Sequence, residues 1–76
     1  MKAYVLIKIR PGGINEAVKN LRRLSDVKEA NATLGPYDAL ATVQVDSVAK
    51  LGRLVNVEIQ AIPGIENTLT CLAIEE

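Results

Sequence analysis

Leu24-Ser25-Asp26-Val27-Lys28-Glu29 returns half a chain later as Ile62-Pro63-Gly64-Ile65-Glu66-Asn67. In each copy an apolar residue closes an amphipathic stretch, a turn follows, and a β-branched residue opens an extended run. The same 38-residue shift lays Val5 on Val43, Ile7 on Val45, Leu21 on Ile59, Leu24 on Ile62 and Val27 on Ile65. A chain of 76 residues that repeats itself once reads as two copies of one supersecondary unit.

Outward from the first copy, Ala3 to Arg10 is rich in β-branched residues and stops at Pro11-Gly12-Gly13, which predicts a strand and a turn. Its odd positions (Ala3, Val5, Ile7, Ile9) are all apolar and its even positions are mixed. Ile14, Val18, Leu21 and Leu24 recur at three to four residues, the period of an amphipathic helix. Val27 to Leu34 reads as a second strand, Gly35-Pro36 as an interruption, and Tyr37 to Val45 as a third strand. Asp46-Ser47 offers an N-cap. Val48, Leu51, Val55 and Ile59 form a second helical stripe, ended by Pro63-Gly64. Ile65 to Ile74 is the last strand, before Glu75-Glu76. The order β-α-β-β-α-β with right-handed crossovers predicts an α+β, ferredoxin-like split βαβ fold. Its four-stranded antiparallel sheet carries both helices on one face. No linker or low-complexity stretch divides the chain, so residues 1–76 form a single domain.

Strict alternation assigns Val5, Ile7, Val43, Val45, Leu69 and Cys71 to the helix side. Tyr4, Leu6, Leu40, Thr42, Leu72 and Ile74 then fall on the other face. A sheet face left to water is normally polar, whereas this one is half apolar, as an interface is. Two copies are therefore expected to pack sheet against sheet or to share strand edges around that patch. Cys71 is expected to be a small buried hydrophobe, inert as a nucleophile.

Composition removes several function classes. Nine Lys or Arg balance nine Asp or Glu, which argues against direct nucleic-acid or anionic-membrane binding. Two tyrosines and no Trp or Phe leave too few aromatics for a base-stacking platform. The absence of His removes the Ser-His and Cys-His nucleophile systems and the commonest metal ligand. The single Cys forms no internal disulfide, in keeping with a reducing, cytoplasmic setting. The longest apolar runs are too short for a membrane span or a signal-peptide core. No cofactor and no metal are expected. Nearly half the residues are apolar (49%), more than one small core needs, and the neutral surface resists association little. Self-association is the default expectation.

Gly35-Pro36-Tyr37-Asp38 is the most distinctive segment. A plain turn between consecutive strands would use a glycine that tolerates positive φ and a proline that fixes φ. Alternatively, backbone N–H groups of such a loop would take a carboxylate while the Asp38 carboxylate takes an ammonium group, the two ends of an amino acid. Thr68 and Thr70 alternate on the last strand and could line a polar pocket, or serve simply as β-branched strand residues. Pro11-Gly12-Gly13 lacks the residues of a P-loop or a dinucleotide fingerprint. Lys19, Arg22 and Arg23 read as a solvated basic helix face. Asp38, Asp46 and Glu58 are too dispersed for a metal site.

Gly35-Pro36-Tyr37-Asp38-Ala39-Leu40, an alternating strand, an amphipathic helix, and Ile62-Pro63-Gly64-Ile65 leading to Thr68-Leu69-Thr70 together resemble the effector-binding (RAM) domain of the Lrp/AsnC transcription regulators. The resemblance extends over the whole chain. It implies a ferredoxin-like domain that dimerises through its sheet, with dimers assembling into larger rings and an amino-acid effector bound between dimers at the loop joining strands two and three. Carried onto this sequence, the implied ligand-binding positions are Gly35, Tyr37, Asp38 and Ala39, with Thr68 and Thr70 on the last strand. Regulators of this kind carry a helix-turn-helix before this domain, whereas this sequence opens on strand one. The expectation is a stand-alone form that acts on transcription through a partner, such as a full-length Lrp/AsnC-type regulator. A small cofactor-free enzyme on the same fold would have to draw acid–base groups from Asp38, Tyr4, Tyr37 or a lysine. A ligand-free assembly module would use the same interface residues as the effector domain.

Overall fold

The computed structural model describes residues 1–75. Four strands, β1 (Lys2–Ile9), β2 (Val27–Ala32), β3 (Ala39–Gln44) and β4 (Ile65–Leu72), form one sheet in the order β2-β3-β1-β4. Every pairing is antiparallel. Helix α1 (Ile14–Leu21) connects β1 to β2, and helix α2 (Val48–Arg53) continues as a π-helical stretch, Leu54–Ile59, before β4. This is the ferredoxin-like arrangement that the doubled sequence predicts.

The local causes are visible residue by residue. Ser47 caps α2, its hydroxyl accepting the Lys50 N–H at 3.1 Å. Gly12 (φ 82°) and Gly64 (φ 95°) occupy the left-handed region that side chains avoid. They turn the chain into α1 and into β4, and the Gly64 carbonyl accepts the Arg10 N–H at 2.8 Å. The Gln60 N–H reaches back five residues to the Val55 carbonyl, the wider coil that shifts Leu54 inward beside Val55 and Ile59.

The core lies between helices and sheet. Ala3, Val5, Ile7 and Ile9 of β1 meet Ala39, Ala41 and Val43 of β3, and Ala17, Val18, Leu21, Leu51, Leu54, Val55 and Ile59 close over them. No polar or charged side chain is buried among the described residues.

Strict alternation fails in β4, and the register explains why. Ile9 pairs with Ile65 but Lys8 pairs with Asn67, so Glu66 is an extra residue in a β-bulge. One inserted residue exchanges the two faces of everything after it. Thr68, Thr70 and Leu72 therefore stand opposite Ile7, Val5 and Ala3 on the helix side. Leu69 and Cys71 stand opposite Leu6 and Tyr4 on the open side. This corrects the assignment of Leu69 and Cys71 to the core and of Leu72 to the open face. Cys71 is an exposed thiol, not a buried hydrophobe. Ile74 lies beyond the end of β4 and is fully exposed. The first half carries the same device: Val27 pairs with Val43 and Glu29 with Thr42, which leaves Lys28 as the bulge. Lys28 and Glu66 are equivalent in the repeat, so the duplication extends to the irregularity.

The corrected open face remains apolar at its centre. Tyr4, Leu6, Leu40, Leu69 and Cys71 are adjacent across β3, β1 and β4, with the Lys2 ammonium 5.4 Å from the Tyr4 ring centroid.

Candidate effector loop between strands two and three

The β2–β3 connection is short and exposed at its tip, yet tied down at its base. The Thr33 N–H donates to the Asp38 carbonyl (3.0 Å), and the Thr33 hydroxyl donates to the Tyr37 carbonyl (2.8 Å). The Asp38 N–H donates to the Ile7 carbonyl (2.9 Å), while Asp38 Oδ2 accepts the Ile9 N–H at 2.8 Å. Asp38 thus grips β1 at two points, and its carboxylate takes over where the β3 backbone leaves the ladder. The Lys8 ammonium donates to the Pro36 carbonyl at 3.0 Å and bends the loop over the end of β1.

Gly35 does not adopt a positive φ, and a Cβ there would meet nothing within 4 Å. The expectation of a left-handed glycine in this turn is therefore corrected: Pro36 and the Asp38 bonds shape the bend instead. The N–H groups of Leu34, Gly35 and Tyr37 have no acceptor among the described residues. The loop consequently carries three unused backbone donors within four residues of Asp38, whose Oδ2 accepts the Ile9 N–H, and of Pro36, whose carbonyl accepts from Lys8.

Of the six positions named from the sequence, Gly35, Tyr37, Asp38 and Ala39 are contiguous at this loop. Gly35 is exposed, Tyr37 and Asp38 are half-buried, and Ala39 is fully buried in the core beside Ile7. Thr68 and Thr70 are not brought to it within one chain. Ile7 pairs with Ala39 on one side and Thr68 on the other, so two strand spacings, about 9.6 Å, separate them. Thr70 instead borders a groove of about 240 Å³ with Val48, Leu51, Gly52, Val55 and Asn56. A second hollow, about 300 Å³, lies at the far end of β3 between Met1, Asp26, Gln44, Val45, Asp46 and Lys50. Neither touches the loop.

Sequence reasoning did not find Lys8 or Thr33. Both act through main-chain carbonyls, and only the β1–β3 register places Lys8 under Pro36. The only signal in the sequence was a long cation at an even position of the first strand, and nothing local pairs it with Pro36.

No helix among the described residues is long and apolar enough to cross a membrane. Comparison with known proteins agrees with the geometry. The family model described as the Lrp/AsnC ligand binding domain matches residues 2–76. The HTH-type transcriptional regulator FL11 of Pyrococcus abyssi is 31% identical over 75 residues, covering 99% of this chain and 49% of that protein. The chain therefore spans about half the length of the curated relatives it matches. The structure of TTHA0845 from Thermus thermophilus superposes with a TM-score of 0.93 at 32% identity, covering 99% of this chain and 94% of that one. A complex of the Neisseria meningitidis transcriptional regulator NMB0573 with L-Met shares the fold, with a TM-score of 0.88 at 17% identity over 99% of this chain and 50% of that one. With the family model matched from Lys2 to Glu76, the chain belongs to the Lrp/AsnC ligand-binding domain family.

Proposed function

We propose that this domain binds an amino-acid effector at the β2–β3 loop, self-assembles, and works in cytoplasmic regulation through a partner of the Lrp/AsnC type. The observation that carries the reading is the set of unused N–H groups at Leu34, Gly35 and Tyr37 beside the Asp38 carboxylate. An α-carboxylate fits the donors and an α-ammonium fits Asp38. The L-Met complex of a regulator with the same fold supports an amino acid as the ligand class. Curated relatives named as transcriptional regulators support a regulatory rather than an enzymatic role.

One chain leaves the loop open to solvent, so the effector site is completed by a second copy. That copy supplies Thr68 and Thr70, whose hydroxyls lie too far from their own loop. Dimers form through the apolar face of Tyr4, Leu6, Leu40, Leu69 and Cys71, and further contacts join dimers into rings.

The test is a thermal melt with each of the twenty amino acids, paired with light-scattering mass across protein concentration. An effector at about 100 times its dissociation constant adds about 2.7 kcal/mol to the native state. In a domain of this size that raises Tm by about 10–20 °C. A selective shift is expected; identical melts with all twenty would remove the amino-acid reading.

A further inference from the structure

The two edges of the sheet differ in how they meet solvent. β2 is six residues long, and Arg22 Nε donates to the Ala30 carbonyl on its outer side at 2.9 Å. Lys28 and Glu29 add charges to the same strand. Sheets blunt an edge in this way because unpaired N–H and C=O groups recruit other strands. β4 is eight residues long, and the run from Asn67 to Ile74 holds no charged residue and no proline. The Ala73 N–H donates to the Lys2 carbonyl at 2.9 Å. In the antiparallel β1–β4 register the ladder bonds therefore fall on Asn67, Leu69, Cys71 and Ala73, and the main-chain groups of Thr68, Thr70 and Leu72 point outward. Asn67 Oδ1 accepts the Thr68 N–H at 3.0 Å. The N–H groups of Thr70 and Leu72 have no acceptor among the described residues. The groove of about 240 Å³ borders the same strand on the helix side, where Thr70 meets Val48, Leu51 and Val55, with no charged side chain in the lining. Gly52 keeps it open, since a Cβ there would meet nothing within 4 Å.

We propose that the β4 edge takes an extended segment of a partner protein as a fifth, antiparallel strand, with an uncharged centre and basic residues on both flanks. Outward main-chain groups at every second residue, about 6.8 Å apart, fit an extended chain and not a helix. The partner residue opposite Thr70 exchanges both main-chain bonds with it and turns its side chain to the helix side, where the groove takes an apolar group. Charge decides what that strand is. Residues 54–76 hold Glu58, Glu66, Glu75 and Glu76 and no Lys or Arg. Glu66 precedes the uncharged run and Glu75 follows it. A second β4, paired about Thr70, would set Glu66 of each copy opposite Ile74 of the other, next to Glu75, so that acid meets acid at both ends. Lysine or arginine on both flanks meets opposite charge instead. The contact uses the β4 main chain and the α2 side of the strand, and it does not rest on the effector reading.

Fluorescence anisotropy of a labelled nonapeptide, Lys-Lys-Thr-Val-Leu-Val-Thr-Lys-Lys, tests it without any added amino acid. With the central leucine opposite Thr70, the outer lysines reach Glu66 at one end and the residue beside Glu75 at the other. Saturable binding is expected. Glutamate in place of the four lysines is expected to weaken it by at least about tenfold. N-methylation of the central leucine, which removes a donor to β4, is expected to do the same, while N-methylation of either valine, whose N–H points away from β4, leaves binding within about threefold. Gly52→Leu fills the groove and raises helix propensity, so it is expected to melt no lower than the wild type and to bind at least about tenfold more weakly. No binding up to about 1 mM peptide, equal binding of the leucine-methylated peptide, or equal binding by Gly52→Leu would overturn the proposal. So would binding that occurs only as light-scattering mass falls, because a second copy would then hold the edge. The amino-acid melts are scored separately, so failure of the effector reading leaves this result interpretable.

Discussion

Ile7→Ala is expected to cost about 2–5 kcal/mol, among the largest single effects in the chain. Ile7 is fully buried in the middle of β1, between Ala39 on β3 and Thr68 on β4. Its neighbours there are small, so the space left by three lost carbons has little to collapse into it. A domain of this length has a total stability of about 4–11 kcal/mol. The variant therefore forfeits a large share of it, and Tm falls by about 10–30 °C. The informative partner is Leu69→Lys. Strict alternation along β4 points Leu69 into the core, where a lysine would prevent folding. The Glu66 bulge turns Leu69 outward, at 49% exposure, so the lysine variant is expected to fold and to lose dimerisation through the sheet. Thermal melts read the first effect, and light-scattering mass reads the second. A Leu69→Lys chain that does not fold would contradict the register.

Asp38→Ala is the second large effect. The carboxylate accepts the part-buried Ile9 N–H, and its removal leaves that donor without a partner, at about 1–3 kcal/mol. A drop in Tm of about 4–20 °C follows. Asp38→Asn keeps an oxygen at the same place and removes only the charge, so it is expected to melt within a few degrees of the wild type. The two variants separate shaping from binding. With an amino acid that stabilises the wild type, Asp38→Asn is expected to lose at least tenfold in affinity, because the ligand ammonium loses its counter-charge. A full ligand response in Asp38→Asn would assign Asp38 to the loop's architecture alone.

These residues also mark how far the sequence carries. The repeat and its two periods reveal the element order, the antiparallel sheet and the core face of β1, since apolar spacing directly encodes which side faces the helices. Ser47 as a cap is legible because the chemistry is local. The faces of β4 are not legible: a bulge is a single unpaired residue, and nothing in Glu66 distinguishes it from an ordinary strand position. Its twin Lys28 lies at the same place in the repeat, so the β2 pattern, with Val27 and Ala30 inward three residues apart, held the clue. The π-helical stretch escapes for a related reason, because a stripe at three- and four-residue spacing does not reveal one wide turn. At the loop, Gly35 to Ala39 stand out by composition, but the Asp38–Ile9 bond, the Lys8–Pro36 bond and the unused donors depend on long-range register. The distance between the loop and Thr68 or Thr70 depends on it too, and it separates the six residues into two groups.

If the β2–β3 loop holds the effector through its backbone donors, those donors must exchange with solvent more slowly once the effector is bound. Amide hydrogen exchange across residues 33–38 measures this, using the amino acid that most raises Tm, at a protein concentration where it leaves the assembly mass unchanged. The N–H groups of Leu34, Gly35 and Tyr37, which have no acceptor among the described residues, are expected to slow by at least tenfold on saturation. Exchange in the loop that stays fast while amides elsewhere become protected would move the site away from Asp38 and leave the loop without its proposed role.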